Sequence, residues 1–538
     1  MFTQVLNPTG NLGLTVLAAL IPVLVLLVML AVFRVTAWLA TLIGSILTLI
    51  VAITLWHMPV GTGIQAYFIG SANGIWAVDW ITFWGVVIFN TLKLTGLFDI
   101  FKNWLVEQAT ADVRVQAILL AWALGALLEG LVGFGYPWAV VAPILVALGV
   151  AELDALRVAA IANNAPVSYG ALGAPIIALA AVTGLPLLSL SASVGKIVAV
   201  LALLPPWVLI YLVTGRKGFR EGWPLAVVGS LAYILGQLPV SQFLGPYLPD
   251  IIGALVCFGA LLLLLKVWRP KTVLGYGGVV LSEEDQRAES ATRIGDPTSR
   301  RSVFEALLPF LILVVVVVLW TGPWSQLPKI TLGSVQLKAI SSISHKVTSV
   351  AFSFTPFIAG TAILTSWLVM LLFIRPSGAV LGQVFRDTFR QMWGALLVGF
   401  FIFGLAFVFN YSGMAASLAY GFSKVGPAFI LLAPILGWIG VALSGSNTST
   451  NSLFGLVQVQ VGRLLGFPVL LLPSLNSVGA EVGKPVAPQT ASVGVSTTKF
   501  VRNEGQVIRH NMGWTLVLLA WLIIVGLLYY FLFPGLMR

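Results

Sequence analysis

The sequence predicts an all-α polytopic membrane protein with two re-entrant hairpins, inverted structural repeats and about 12 transmembrane helices of the ~20 apolar residues each that a bilayer requires. Three observations carry that prediction. Of 538 residues, 59% are hydrophobic and only 9% charged, where soluble domains carry about 25% charged residues; the mean hydropathy is +1.01. Solid apolar runs such as 307–320 are unlike the alternating ~10-residue segments of a membrane β-barrel. Finally, two distant stretches interrupt the apolar pattern in the same order of parts.

The first interrupted stretch, 125–175, reads GALLEGLVGFGYP, an apolar run, then NNAPVSYGALGAP; the second, 440–488, reads GVALSGSNTSTNS, an apolar run, then NSVGAEVGKPVAP. Gly125 and Gly130 match Gly440 and Gly445, Asn164 matches Asn476, Pro175 matches Pro485, and Thr95-Gly96 matches Ser412-Gly413. Irregular backbone facing lipid leaves N–H and C=O groups unpaired at several kcal/mol each, so such stretches must be buried in protein or line a cavity. Paired interrupted segments in corresponding halves point to a transporter's binding site.

Taken in order, apolar runs place spans at 12–33, 37–56 and 75–93. Residues 97–112 mix charges with apolar residues and read as an interfacial helix. A run at 115–149 is too long for one straight span and is broken at 130–137, as a hairpin that enters and returns would be; 158–182 is a span unwound at 163–175. Spans follow at 194–214, 224–239 and 251–266, then a polar, mobile cytoplasmic linker at 268–302. The second half places spans at 303–320, 357–374 and 392–410, with an irregular outer connection at 322–350. An interfacial stretch at 413–425, a hairpin at 428–465, a broken span at 469–495 and a last span at 514–533 complete the chain. The expected units are a first repeat over 1–223, two connecting helices over 224–267, the linker, and a second, inverted repeat over 303–538.

Basic loops set the orientation. Arg34, Lys93, Lys102, Arg216, Lys217, Lys266, Arg269 and Arg502 fall inside, with both termini outside; Lys196, Lys329, Lys338, Lys346 and Lys424 are the exceptions. The net charge of +11 is therefore assigned to cytoplasmic loops, not to nucleic-acid binding. The single Cys257 lies in an apolar run and provides no disulfide framework. The N-terminal MFTQVLNPTGN has no basic residue before the first apolar run, unlike a cleaved signal peptide.

Chemistry concentrates at the interruptions. Glu129 ends an apolar helix at the first hairpin tip, and a carboxyl at membrane depth is a functional residue by default. It is the candidate proton carrier; the plain alternative is a carboxyl that caps the hairpin's N–H groups. Lys484 is the candidate anion partner, with an internal pair to Glu481 three residues earlier as the alternative. At the second tip, Ser444, Ser446, Asn447, Thr448, Ser449, Thr450 and Asn451 offer hydroxyls, amides and a helix N-terminus, suited to an α-hydroxy acid's carboxylate and hydroxyl. N-capping of the following helix is the competing role. Asn163, Asn164, Ser168 and Tyr169, with Gly133 in the glycine turn, form the matching set in the first half; Asn476 opens the second break. Asp79 is read as either near the start of the third span or at the interface. His57, His345 and His510 are scattered, so no metal site is assigned, and no cofactor motif is present. Without a nucleotide motif, energy must come from an ion gradient if the chain acts alone.

The segments GALLEGLVGFGYPWAV, ANNAPVSYGALGAPI, NYSG at 410–413, LSGSNTSTNSLFG and GKPVAPQ, with the N-terminal NPTGN, together resemble the L-lactate permease family over nearly the whole chain. That resemblance implies ion-coupled carboxylate transporters whose hairpin tips carry Ser-Asn-Thr, here Ser446-Asn447-Thr448. The first half has Glu129 and glycines instead, which resembles a proton-coupled variant of a sodium-binding design; Glu481 lies outside the pattern. The implied activity is secondary active symport of L-lactate and related 2-hydroxymonocarboxylates (glycolate, D-lactate) with protons, by alternating access in a cell inner membrane. The competing readings are a sodium-coupled or broader carboxylate carrier, a membrane-embedded enzyme and a passive channel.

Overall fold

A computed structural model describes residues 1–286, 300–496, 498–500 and 503–538. The rest of the expected linker, 287–299, lies outside the described residues. Among those described, ten helices are long and apolar enough to cross a membrane, or eleven if the pair Glu152–Ala162 and Val167–Thr183, bent by 68°, is one span. Three stretches depart from the twelve spans expected. The expected spans 194–214 and 224–239 share one stretch, Leu187–Phe243, the helix Ala359–Ile374 is 16 residues long, and the segment from Leu471 to Val495 is broken.

Outer helices face lipid with their largest side chains. Leu12–Ala31 exposes Leu14, Leu17, Ile21, Leu24 and Val28, spaced alternately by three and four residues, and buries Thr15, Ala18, Ala19 and Pro22 on the opposite face. Apolar residues outside and small ones inside mark a helix solvated by hydrocarbon, where close backbone approach holds neighbours together. The same logic operates deep in the second half. A Cβ at Gly437 would lie 2.1 Å from the Asn476 carbonyl oxygen, and one at Gly479 would lie 2.2 Å from that of Pro434, so helices Phe429–Ser444 and Leu471–Gly483 meet backbone to backbone.

Several expectations are corrected. The outer connection expected to be irregular is a β-hairpin: β2 (Gly333–Ile340) pairs antiparallel with β3 (Val347–Phe354), and β1 (Phe2–Thr3) adds in parallel to β2. Val335, Leu337 and Ala339 alternate with Ser334, Gln336 and Lys338, a half-exposed strand pattern that its polar content masks. Asn73 and Trp76 donate to the carbonyls of Ala351 and Thr355, fastening the hairpin to a helix. That helix starts at Val60, not at residue 75, and runs to Leu94 through a π-helical turn at Gly74–Asp79. Of the two positions weighed for Asp79, the one within the span holds: it is buried inside this helix. The expected span 392–410 begins at Gly378, capped by Ser377, because Arg386 and Arg390 sit on a helix that continues past its apolar part. The stretch expected to be interfacial, 413–425, buries Met414 to Ala419 and reaches the surface only at its end, through Lys424 and Val425. Residues 271–281 of the expected mobile linker are held down: Thr272 and Leu274 donate backbone N–H to Glu221 and Asp112, and Arg114, itself paired with Asp112 at 2.6 Å, donates to the Thr272 carbonyl.

Candidate functional site

Four helix breaks build the site. In the first hairpin, helix Val113–Leu131 is entirely buried and ends in three consecutive left-handed residues, Gly133, Phe134 and Gly135 (φ +69°, +55° and +76°). The chain then turns into helix Tyr136–Ala147, which packs back on the first. Glycine flanks Phe134 because only glycine takes this conformation without steric cost. The following helix stops at Ala162. The chain passes through a 3-10 turn, Val167–Tyr169, and a second left-handed run, Ala171–Gly173, before resuming.

In the second hairpin, helix Phe429–Ser444 ends on left-handed Gly445, and the Ser446 hydroxyl caps the next helix by accepting the Ser449 N–H at 3.1 Å. The capping role weighed for this tip is thus filled by Ser446. Helix Leu471–Gly483 then breaks at a 3-10 turn, Lys484–Val486, and restarts as Pro488–Val495. The two tips converge on the start of that short helix. A Cβ on Gly135 would sit 2.8 Å from Thr490, and one on Gly445 2.8 Å from Gln489.

Two charges lie at the centre. Lys484 Nζ is 2.5 Å from Glu129 Oε1, and both side chains are almost wholly buried (7% and 2% exposed). Asn163 donates to the other carboxylate oxygen, Glu129 Oε2, at 3.0 Å. The internal Glu481–Lys484 pair weighed from the sequence does not form. Glu481 instead reaches into the other half, where its Oε1 accepts the Ser168 backbone N–H at 2.7 Å, while Oε2 is buried without a partner. Gly170 is fixed by this arrangement: a Cβ there would lie 2.6 Å from Glu129 Oε1.

A polar chain continues from these charges. The Ser168 and Ser477 hydroxyls lie 2.9 Å apart, and the Asn447 amide donates to the Ser477 carbonyl at 3.1 Å. Asn451 donates to the Pro175 carbonyl and to the Ser477 hydroxyl, both at 3.0 Å, and Asn476 donates to Asn451 Oδ1. Asn447 Oδ1 and Asn163 Oδ1 are buried with no partner. Unpaired buried polar atoms are costly, and both of these are amide oxygens left open to a hydrogen-bond donor.

Not every expected residue joins in. The Tyr169 hydroxyl turns away to the Ser191 carbonyl at 2.6 Å. The Asn164 amide bonds the Ile161 carbonyl of its own helix. Ser444 accepts the Ser446 N–H within the tip, and Thr448 is half-buried with its carbonyl accepting from Ser452. Gln489, Thr490 and Asp250 are parts of the site that sequence reasoning missed. Gln489 closes the GKPVAPQ motif and Thr490 follows it, a signal that was available; Asp250 lies in a different helix and carried none. Among the described residues no group of three His, Cys, Asp or Glu side chains is arranged to hold a metal ion.

The family model for L-lactate permease matches residues 15–533. Glycolate permease GlcA of Escherichia coli K12 is 34% identical over 559 aligned positions, covering 100% of this chain and 99% of the relative. An L-lactate permease of Bacillus subtilis 168 is 32% identical and covers 99% of each. These relatives are permeases, not enzymes. A solved YdaH transporter of Alcanivorax borkumensis aligns over 89% of this chain and 90% of its own, with a TM-score of 0.46 at 15% identity, too distant to support an argument.

Proposed function

Since the chain belongs to the L-lactate permease family, we propose that it carries L-lactate and related 2-hydroxymonocarboxylates such as glycolate and D-lactate across the cell inner membrane by proton symport. One observation supports this reading above the rest: a buried ammonium, Lys484, is occupied by a carboxylate of the other half, Glu129. A substrate carboxylate offers Lys484 the same partner. The two anions compete for one cation, and an unpaired buried carboxylate costs several kcal/mol. A proton on Glu129 removes the competition: the ammonium passes to lactate, and the net charge of the site is unchanged. Binding of the anion and binding of the proton are then positively linked, which is the thermodynamic content of symport.

The 2-hydroxyl needs a donor–acceptor partner, and Asn447, Ser168 and Ser477 supply one beside the pair. Ser446, Thr448 and Ser449 place the helix N-terminus behind the tip, and Gly133 and Gly445 let backbone approach closely. The two hairpins, entering from opposite sides as parts of inverted repeats, would move with the broken helices as one body and expose the site alternately.

The deciding experiment is radiolabelled L-lactate uptake into proteoliposomes with proton and sodium gradients imposed separately, competed by glycolate. Accumulation driven by the proton gradient and lost in Glu129→Gln supports the reading. Accumulation driven by sodium alone, or undiminished in Glu129→Gln, overturns it.

A further inference from the structure

Asp250 is the second residue of helix Pro249–Val267 and is 1% exposed. Its Oδ1 accepts the Tyr233 hydroxyl of helix Phe219–Phe243 at 2.9 Å, and its Oδ2 is buried with no partner. No ion pair reaches it among the described residues. It packs directly on the turn that carries Glu129: a Cβ at Gly130 would stand 2.7 Å from Asp250 Cβ. The ionisable groups facing it are Tyr233, Glu129 of the first hairpin, Tyr169 of the first break, and Glu481 and Lys484 of the second. Lys484 is already engaged by Glu129.

A desolvated carboxylate needs a counter-charge or several donors. Asp250 has one neutral donor and a spare oxygen, the environment in which the uncharged acid costs far less than the anion. A carboxyl so placed in a membrane protein marks a proton pathway. We propose that Asp250 is a second proton-binding carboxyl of the transport site, exchanging its proton with Glu129 across the Gly130 turn. The O–H bond on Asp250 Oδ2 breaks as one forms on a Glu129 carboxylate oxygen released by Lys484. Asp250 is left as a carboxylate held by the Tyr233 hydroxyl and regains a proton from a hydronium ion on the side of higher proton concentration, which is released as water. Tyr233 is a positioning residue, which holds Oδ1 and leaves Oδ2 to carry the proton.

This inference rests on the symport reading, and its test is kept separate by using no substrate. The reconstituted protein is titrated without lactate and followed by infrared difference spectroscopy in the carboxylic-acid C=O region. Wild type should show an acid band that is lost in Asp250→Asn and retained in Glu129→Gln. Tyr233→Phe, which leaves the carboxyl in place, should shift that same band and serves if Asp250→Asn does not fold. An Asp250→Asn spectrum identical to wild type, or a band unmoved in Tyr233→Phe, overturns the proposal. Failure of wild-type protein to accumulate lactate under a proton gradient would overturn symport and leave the spectral result standing.

Discussion

Substituting Lys484 by Met tests the central pair most directly. Met keeps the length of the side chain and removes its charge, leaving Glu129 buried with only the Asn163 amide at 3.0 Å. Breaking a buried ion pair from one side costs about 3–5 kcal/mol, whereas replacing both partners by neutral groups is often nearly neutral. Because Asn163 still serves one carboxylate oxygen, the lower end applies, ~3 kcal/mol for Lys484→Met. Glu129→Gln should cost a similar amount, since it strands the ammonium. The double variant should recover most of either loss, giving a coupling of at least about 2 kcal/mol in a double-mutant cycle. The assay is denaturation of the purified protein in lipid, with L-lactate binding measured in parallel by calorimetry. Binding should vanish in Lys484→Met and in the double variant although the latter is stable. Additive stability losses would refute the buried pair, and wild-type lactate affinity in Lys484→Met would refute Lys484 as the substrate's cation.

Gly170→Ala places a methyl 2.6 Å from Glu129 Oε1 and should displace the carboxylate. The overpacking should cost about 1–3 kcal/mol and raise the KM for lactate, and an unchanged KM would show that the carboxylate position is immaterial. After helix Pro249–Val267, the Tyr276 hydroxyl donates to Asp154, and burial together with that bond pushes its pKa up to about 12. A phenol whose pKa is raised by folding contributes stability below its ordinary value of 10 and loses it as pH rises from 10 through 12. Ultraviolet titration should show this tyrosine ionising late, by comparison with Tyr276→Phe; ionisation near pH 10 would mean that the tether between this loop and the first broken helix does not hold.

Much of this molecule was legible as residues. Glycines such as Gly133, Gly135 and Gly445 marked where helices stop, because they take the left-handed backbone that ends a helix at no steric cost; proline was a weaker sign, since Pro22 lies inside helix Leu12–Ala31. Glu129 and Lys484 announced themselves by being ionisable within apolar sequence, where a charge must have a reason. The β-hairpin was less legible, since its strands are polar on one face and lie outside the apolar runs. The long helix Gly378–Ser412 was cut short for a related reason: Arg386 and Arg390 end the hydrophobic pattern but not the helix.

By itself, the sequence determined the class of solvent, the places where helices break and the kinds of group at those breaks, because hydrophobicity and backbone preference are local properties. Only the tertiary structure decided who meets whom. Glu481 is three residues from Lys484 and looked like its partner, yet Glu129, 355 positions away, takes the ammonium while Glu481 crosses to Ser168. Pairing of this kind depends on where two separate broken helices are held against each other, and that position is set by packing over the whole chain, which no local pattern records.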